Sequence, residues 1–280
     1  MILCADSGST KTQWLTETGK LIETIGFNPQ FHTSESILGA IQANADFNQV
    51  KGEITQVYFY GAGCSSSSRN SIVSDALSSF FTNAKIAIDH DLKAAAYATF
   101  DGETCISCII GTGSNSCLFD GENIVENVPA LGYILGDEGS GSWLGKELLK
   151  QFLYHLLPSA TEEILKNKYG VEKEKVFQRV YREAHANVYL ASFARILSET
   201  PDTDFANNLV TQGFAEFFKY HVACYPNYRK YPVHFVGSLA FNFKTQLQEV
   251  ADSFGVKLGN IDCAPVHQLL SFHLKNFKHN

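Results

Sequence analysis

The sequence predicts an α/β fold with two similar halves, each a mixed sheet flanked by helices. A strand–turn–strand pattern occurs at Ile2–Thr16 and again at Cys105–Phe119. Each copy then passes through a hairpin into a third apolar strand, Leu21–Ile25 or Asn123–Val125. Apolar strands and amphipathic helices follow, an order typical of a layered α/β domain.

The remaining elements of the first half follow from short-range patterns. Ile37 and Ile41 at helical spacing predict a helix over Ser34–Asn44, and Val57–Tyr60 reads as a buried strand. The serine run Ser65–Ser68 is interpreted as a loop and the start of a helix. The elements expected after it are a helix at Ser71–Thr82, a strand at Lys85–Asp89 and a helix at Leu92–Phe100.

The second half opens near Thr104, so the predicted domains are residues 1–103 and 104–280, a boundary that rests on the repeat alone. Leu144, Leu148, Phe152 and Leu156 predict a helix that runs to Pro158, and the chain stays mostly helical to about Tyr225. The last expected elements are a strand at Tyr231–Val236, a helix at Ala240–Phe254, a strand near Lys257–Asp262 and a helix near Val266–Phe277.

Composition excludes several classes of function. The 280 residues carry a formal net charge of −7, which disfavours a nucleic acid partner because phosphate backbones require clustered Lys and Arg. No window approaches the length of apolar sequence that a membrane span needs, and the N-terminus does not read as a signal peptide. We therefore expect a soluble cytoplasmic protein.

Cysteine spacing argues against a disulfide framework or a metal site. The seven cysteines are an odd number in a chain without an export signal. Cys105 and Cys108 form a CxxC motif, but positions three apart in a strand point to opposite faces. Buried structural thiols are the better interpretation of this pair.

The two repeated turns are the strongest functional signal. Asp6 precedes a turn containing Gly8, Ser9, Thr10 and Lys11, and the second turn contains Gly111, Thr112 and Gly113. Glycine with Ser or Thr leaves backbone N–H groups open to an anion, although a single such turn more often only connects strands. Asp6 could hold Mg²⁺ through water, or simply cap its turn. Two matching copies indicate a protein that uses a nucleotide.

Three further segments are candidates for the chemistry. Asp91 follows a strand and opens a helix, so it is either a helix cap or a base that accepts a proton from a substrate hydroxyl. The adjacent His90 is an alternative candidate for the base, although a lone histidine at the end of a strand more often has a structural role. Asp137 lies in a glycine-dense acidic segment, which could approach a polar ligand or form a flexible loop. Gly237-Ser238 could lie against adenine or ribose, or be an ordinary turn.

Taken together, these segments resemble the actin, hexokinase and heat-shock chaperone superfamily, and most closely its N-acetylglucosamine kinase branch, grouped with the BadF/BcrA-type ATPases. The segments that carry the resemblance span nearly the whole chain in the family's order: DSGSTKT at 6–12, DLKAAA at 91–96, GTGSN at 111–115, GDEGS at 136–140 and VGS at 236–238.

The resemblance implies two ribonuclease-H-like (actin-like ATPase) lobes with ATP and Mg²⁺ in the cleft between them, the second lobe carrying a helical insertion. It implies an amino-sugar kinase in which Asp91 is the base for the sugar 6-hydroxyl. The implied ATP contacts are Thr10, Thr112, Ala191 and Ser238, and the implied sugar contacts are Asn28, Asp91, Ala130, Leu131, Gly132 and Asp137. It is compatible with a homodimer and with packing of the last helix against the first lobe.

Two departures from the family pattern bear on specificity and docking. Ala130-Leu131-Gly132 stands where the animal enzymes have Gly-Trp-Gly, so N-acetylglucosamine, glucosamine and N-acetylmuramic acid all remain candidate acceptors. The segment Ala264–Gln268 lacks the usual Gly-Ala pair after its proline. An ATPase that activates a protein partner and a non-catalytic sugar sensor are the alternatives, and the Gly-flanked cysteine loop of the activators is missing.

Overall fold

The computed structural model describes residues 1–277 and divides into two compact units. Unit 1 comprises Met1–Phe100 and the segment that begins at Ala264, and unit 2 comprises Asp101–Cys263. Each unit contains one five-stranded mixed sheet, and the two sheets have the same strand order. The predicted α/β fold with two flanked mixed sheets is therefore confirmed. Among the described residues, none of the helices has the length and apolar character needed to cross a bilayer.

In unit 1, an antiparallel meander of three strands is extended by two strands parallel to the first. Its strands are β1 (Ile2–Ser7), β2 (Lys11–Thr16), β3 (Leu21–Ile25), β4 (Gln56–Gly61) and β5 (Lys85–His90). Its helices are α1 (Ser34–Gln42), α2 (Ala45–Val50), α3 (Ser67–Phe80), α4 (Asp91–Thr99) and the closing helix α14 (Val266–Phe277).

Alternate residues of β1 pack on opposite faces of this sheet. Leu3 and Ala5 contribute to the core under α1, α2 and α3, which is centred on Trp14. Ile2 and Cys4 contribute to a second core under α4 and α14. Since side chains alternate along a strand, the buried residues Ile2–Ala5 of β1 need helices on both faces of the sheet.

In unit 2, the strands are β6 (Cys105–Ile110), β7 (Ser114–Phe119), β8 (Ile124–Asn127), β9 (Val233–Val236) and β10 (Leu258–Asp262). The helices before β9 are α5 (Gly132–Leu135), α6 (Gly141–Leu153), α7 (Ser159–Glu163), α8 (Lys173–Tyr181), α9 (Ala186–Ala191), α10 (Ile196–Glu199) and α11 (Thr203–Phe217). After β9 come α12 (Ser238–Asn242) and α13 (Lys244–Phe254). Single π-helical turns at Ile164–Lys168 and Phe218–Val222 follow α7 and α11.

One large apolar core holds unit 2 together. It joins Ile106, Cys108 and Ile110 of β6 to the inner faces of α6 and α11. The thiols of Cys105 and Cys108 are both buried and free, and burial raises the pKa of both thiols. These thiols are therefore protonated packing groups.

The structure confirms that the serine run starts a helix, although the helix is expected to begin at Ser71, and it shows that the predicted end of α6 is wrong. α3 begins at Ser67 because the Ser66 hydroxyl accepts the Arg69 N–H at 3.4 Å, so the serine run forms the cap and first turn. α6 ends at Leu153, and Leu156, expected on its apolar face, has 68% of its surface exposed.

Two further predictions need correction near the end of unit 2. The helix expected over Ala240–Phe254 is two helices, α12 and α13, separated at Phe243, whose ψ of 41° is not helical. β9 begins at Val233 and not at Tyr231. Pro232 separates the two positions and has no N–H to donate to a ladder.

Candidate active site

The turn between β1 and β2 is held by side chains on either side of it. The Ser7 and Thr12 hydroxyls lie 2.7 Å apart and are fully buried, and Ser7 Oγ also accepts the Phe27 N–H at 2.9 Å. Gly26 packs against the turn so closely that a Cβ there would lie 2.2 Å from the Gly8 carbonyl oxygen. A rigid turn results, and Ser7 and Thr12 belong to its support.

The tip of this turn offers unused hydrogen-bond donors. Gly8 N–H donates to Lys11 O at 3.0 Å, whereas the N–H groups and hydroxyls of Ser9 and Thr10 bond to no part of the described chain. Lys11 lies 3.5 Å from Glu23 and is mostly exposed. Neighbouring open amides in a glycine-containing turn are suited to an anion such as phosphate.

The turn between β6 and β7 is fixed by the start of α6. Gly141 N–H donates to Gly111 O at 2.8 Å and Ser142 N–H donates to Thr112 O at 3.0 Å. These first amides of α6 are therefore used internally and do not form an anion site. The N–H groups of Thr112 and Gly113 and the Thr112 hydroxyl have no partner among the residues that the structure describes. The second turn thus presents the same kind of donors as the first.

Asp137 closes over this second turn. Its Oδ1 accepts the Ser114 N–H at 3.2 Å, and a Cβ at Gly113 would lie 2.9 Å from the same oxygen. The residue adopts φ of 57°, a left-handed conformation that costs energy for a side chain with a Cβ. Burial raises the pKa of Asp137, while the Ser114 N–H opposes that rise. The chain thus holds a desolvated carboxylate beside open amides.

Three other predicted nucleotide residues lie near the same turn. Gly237 has φ of 130°, and a Cβ there would lie 2.1 Å from the Ile110 carbonyl oxygen, so Gly237-Ser238 approaches the end of β6 as only glycine allows. Ala191 contacts Gly141, where an added Cβ would lie 3.1 Å from the Ala191 Cβ. Unit 2 therefore brings together Gly111, Thr112, Gly113, Asp137, Ala191, Gly237 and Ser238, which are far apart in sequence.

Asp91 is the first residue of α4 and does not occupy its cap position. The cap is His90, which makes no side-chain capping bond. Asp91 Oδ1 accepts the Leu92 N–H at 2.9 Å, and the residue as a whole is half-buried. Desolvation by burial raises the pKa of Asp91, against smaller opposing effects of His90 and the Leu92 N–H. A carboxylate in this state is a stronger proton acceptor than an exposed one.

The loop after β4 lies between Asp91 and Asn28. Burial, with a smaller contribution from Asp91, raises the pKa of the Cys64 thiol to about 12. A Cβ at Gly63 would lie 2.2 Å from Asn28 Oδ1. Asn28 is buried, and its Oδ1 accepts the Gln30 N–H at 2.9 Å, while its Nδ2 bonds to nothing in the described chain. This side-chain amide is available to a ligand.

The predicted sugar-contact stretch Ala130–Gly132 is more exposed than Asn28. Leu131 caps the short helix α5 with 59% of its surface exposed, and Ala130 is also exposed. Gly132 begins α5 with φ of 73°. The side chain of Leu131 is thus free to meet a ligand.

Asp6 is the one predicted metal contact. It is half-buried at the end of β1, in register with Gln13. Within residues 1–277, no three His, Cys, Asp or Glu side chains cluster as a protein-only metal site. A single carboxylate beside the turn between β1 and β2 is compatible with Mg²⁺, which keeps most of its water ligands and binds through substrate phosphates.

Sequence reasoning missed the residues that support the site. Gly26, Gly63 and Ser142 make their contacts across loops that no local pattern joins. Gly26 directly precedes Phe27 and the predicted contact Asn28, and this glycine at a strand end was the available signal.

Comparison with known proteins identifies the family. A solved Porphyromonas gingivalis protein with the provisional name N-acetylglucosamine kinase is 35% identical, with a TM-score of 0.91 and coverage of 99% of this chain and 100% of its own. A Chromobacterium violaceum protein of the same provisional name (16% identity, TM-score 0.68, coverage 97% and 98%) and a MamK double helical filament (11%, 0.60, 99% and 99%) share the fold. No protein-family model and no curated protein matches. The chain belongs to the N-acetylglucosamine kinase-like family of the actin-like ATPase fold.

Proposed function

We propose that this protein is an ATP-dependent kinase that phosphorylates an N-acetylated amino sugar, N-acetylglucosamine or a close relative, at its 6-hydroxyl. The observation that carries the proposal is Asp91, a desolvated carboxylate with a raised pKa at the start of α4. By resemblance, Asp91 matches the base of the family, to which the 35% identical Porphyromonas gingivalis protein also belongs.

The two turns supply the phosphate contacts in this proposal. The open N–H groups of Ser9 and Thr10 in unit 1, and of Thr112 and Gly113 in unit 2, donate to phosphate oxygens. Gly237 and Ser238, next to Ala191, lie beside the nucleoside. Mg²⁺, when bound near Asp6, supplies positive charge to the β- and γ-phosphates.

Asp91 moves the proton in the transfer step. It accepts the proton of the sugar 6-hydroxyl as that oxygen bonds to the γ-phosphorus, and the bond from phosphorus to the β–γ bridging oxygen breaks to release ADP. The open amides of the turns stabilise the phosphoryl charge without reorganising, since hydrogen bonds made by other groups of each turn already hold the turns in place.

The sugar contacts are Asn28, through its free Nδ2, with Asp137 and the stretch Ala130–Gly132. Leu131, with an exposed aliphatic side chain, gives a sugar less stacking surface than an aromatic ring and leaves more volume. We therefore include acceptors with a larger C3 substituent, such as N-acetylmuramic acid, in the proposed substrate class.

A coupled ADP-release assay tests this function. Purified protein with ATP and Mg²⁺ is given N-acetylglucosamine, N-acetylmuramic acid, glucosamine, glucose or no sugar. ADP release that requires an N-acetylated amino sugar supports the proposal. Steady ADP release without sugar would favour a partner-activating ATPase, and binding of sugar without ADP release would favour a sensor.

A further inference from the structure

A buried histidine lies directly behind the acidic segment of unit 2. His221 belongs to the π-helical turn after α11, and its Nε2 is 3.2 Å from Oε2 of Glu138, the neighbour of Asp137. The His221 side chain has 5% of its surface exposed and that of Glu138 has 17%. The carboxylate of Glu138 therefore points to the protein core.

His221 is held both at its imidazole ring and at its backbone. Its ring stacks on Phe217 at a centroid distance of 4.8 Å and an interplanar angle of 11°. Its backbone carbonyl accepts the Ser116 hydroxyl at 2.6 Å, and that hydroxyl also lies 2.9 Å from the Tyr225 hydroxyl. π-helical turns recur at functional sites, and this one directs His221 at Glu138.

Further hydrogen bonds connect this pair to the turn at Gly111–Gly113 between β6 and β7, which is the phosphate turn of unit 2 in the proposed function. Ser114 on β7 donates through its hydroxyl to the Glu138 carbonyl at 2.8 Å and through its N–H to Asp137. Ser116, two residues along the same strand face, bonds to His221. Glu138 is thus held at its backbone by β7 and at its side chain by His221.

The protonation state follows from this geometry. Burial lowers the pKa of His221, against a smaller opposing effect of Glu138, so the imidazole is neutral at neutral pH. A proton on Nε2, facing the carboxylate, leaves Nδ1 as a bare acceptor, and Nδ1 has no partner among the described residues. A buried polar atom without a partner costs stability, and no stabilising hydrogen bond in the described chain offsets that cost at Nδ1.

We propose that His221 is a positioning residue, which anchors Glu138 and thereby holds Asp137 closed over the phosphate turn. This inference rests on the proposed kinase function for its effect on activity. The hydrogen bond between Glu138 and His221 would hold a strained segment of backbone in place. Asp137 is strained at φ of 57°, and Gly139, two residues further on, lies so near α11 that a Cβ would be 2.8 Å from the Gly213 carbonyl oxygen. The Glu138–His221 bond keeps this segment from relaxing.

The test compares His221→Leu, His221→Gln and a matched control, His234→Leu. Glutamine can still donate to Glu138, whereas leucine cannot. His234 is another fully buried histidine of unit 2. Its Nε2 makes no hydrogen bond and lies 3.6 Å from Asp101 Oδ1, and the residue belongs to β9, away from the turn. Amide hydrogen exchange, thermal unfolding and kcat and KM for N-acetylglucosamine are measured for each protein.

We expect His221→Leu to speed amide exchange within residues 111–114 and 137–142 and to lower kcat/KM by roughly 10- to 100-fold in folded protein. His221→Gln should restore both, and His234→Leu should lower only the unfolding temperature. Unchanged exchange in a folded His221→Leu protein, no rescue by glutamine, or the same local loosening in His234→Leu would each overturn the proposal. Should His221→Leu not fold, Glu138→Ala removes the same bond, and unaltered exchange there would overturn it too.

The exchange measurement also separates this inference from the proposed function. A wild-type protein that shows no sugar-dependent ADP release would refute the kinase, while local loosening in His221→Leu would still support the anchor. Normal kinase activity with unchanged exchange in His221→Leu would refute the anchor alone.

Discussion

Replacement of Asp91 by asparagine should separate the chemistry of this protein from its stability. Asparagine has nearly the same shape and keeps an oxygen that can accept the Leu92 N–H, now 2.9 Å from Asp91 Oδ1. The substitution therefore removes the charge and the basicity and little else. Loss of a general base typically costs about two to four orders of magnitude in rate, or roughly 3 to 5 kcal/mol in the barrier.

The same substitution should stabilise the fold at neutral pH. The folded-state pKa of Asp91 is raised by desolvation, so ionising the carboxylate costs folding free energy. This cost is absent below the unfolded-state pKa and is fully present above the raised pKa of the folded state. The stability advantage of Asp91→Asn should therefore grow as pH rises from the acid range to neutrality. Its position at the start of α4 opposes the effect, since a carboxylate there gains about 0.3 to 1 kcal/mol from the helix dipole.

The assay combines ADP release with thermal unfolding across this pH range. Wild-type kcat/KM should rise with pH as Asp91 loses its proton. Asp89→Asn is the matched control, because the Asp89 carboxylate is already engaged by Lys93 at 2.7 Å. It should retain most activity. Turnover above a tenth of wild type in Asp91→Asn, with unchanged pH dependence, would show that Asp91 is not the base.

Three further outcomes are expected. Thr10→Ala and Thr112→Ala should each raise the KM for ATP with little change in unfolding temperature, because both hydroxyls lack partners in the described chain; unchanged KM in both would contradict the two-turn model. Gly237→Ala should destabilise the protein by about 1 to 3 kcal/mol in chemical denaturation, since its Cβ would lie 2.1 Å from the Ile110 carbonyl, and wild-type stability would refute the close approach. Leu131→Trp should favour N-acetylglucosamine over N-acetylmuramic acid, and an unchanged ratio of the two kcat/KM values would remove residue 131 from the C3 side of the sugar.

Local chemistry explains what the sequence predicts well. Strands β6 and β3 and helix α14 lie within the residues expected, because each is a compact apolar pattern bounded by turn residues. The errors occur where a single contact decides a boundary. The Ser66 hydroxyl accepts the Arg69 N–H, so α3 begins earlier than expected. Phe243 has a non-helical conformation and divides a segment whose apolar spacing continues without interruption.

Sequence patterns suggest candidate residues for the site but do not predict how those residues are arranged. Turn composition indicates that Thr10 and Thr112 lie in anion-binding turns, yet no spacing rule links Glu138 to His221, which is 83 positions away. Such a pairing depends on how α11 crosses the acidic segment, which a single sequence does not encode in any local period.

The two copies of the turn also differ in a way that their sequences conceal. In unit 1 the turn is supported from below by Gly26 and by the Ser7–Thr12 pair. In unit 2 the first amides of α6 bind the carbonyls of the turn directly. The unit 1 turn is also bonded through a carbonyl, since Thr10 O accepts the Gly26 N–H at 3.1 Å. Duplicated sequence thus gives the same kind of open donors in both turns, while the groups that hold each turn come from different elements: the strand end at Gly26 in unit 1 and the start of helix α6 in unit 2.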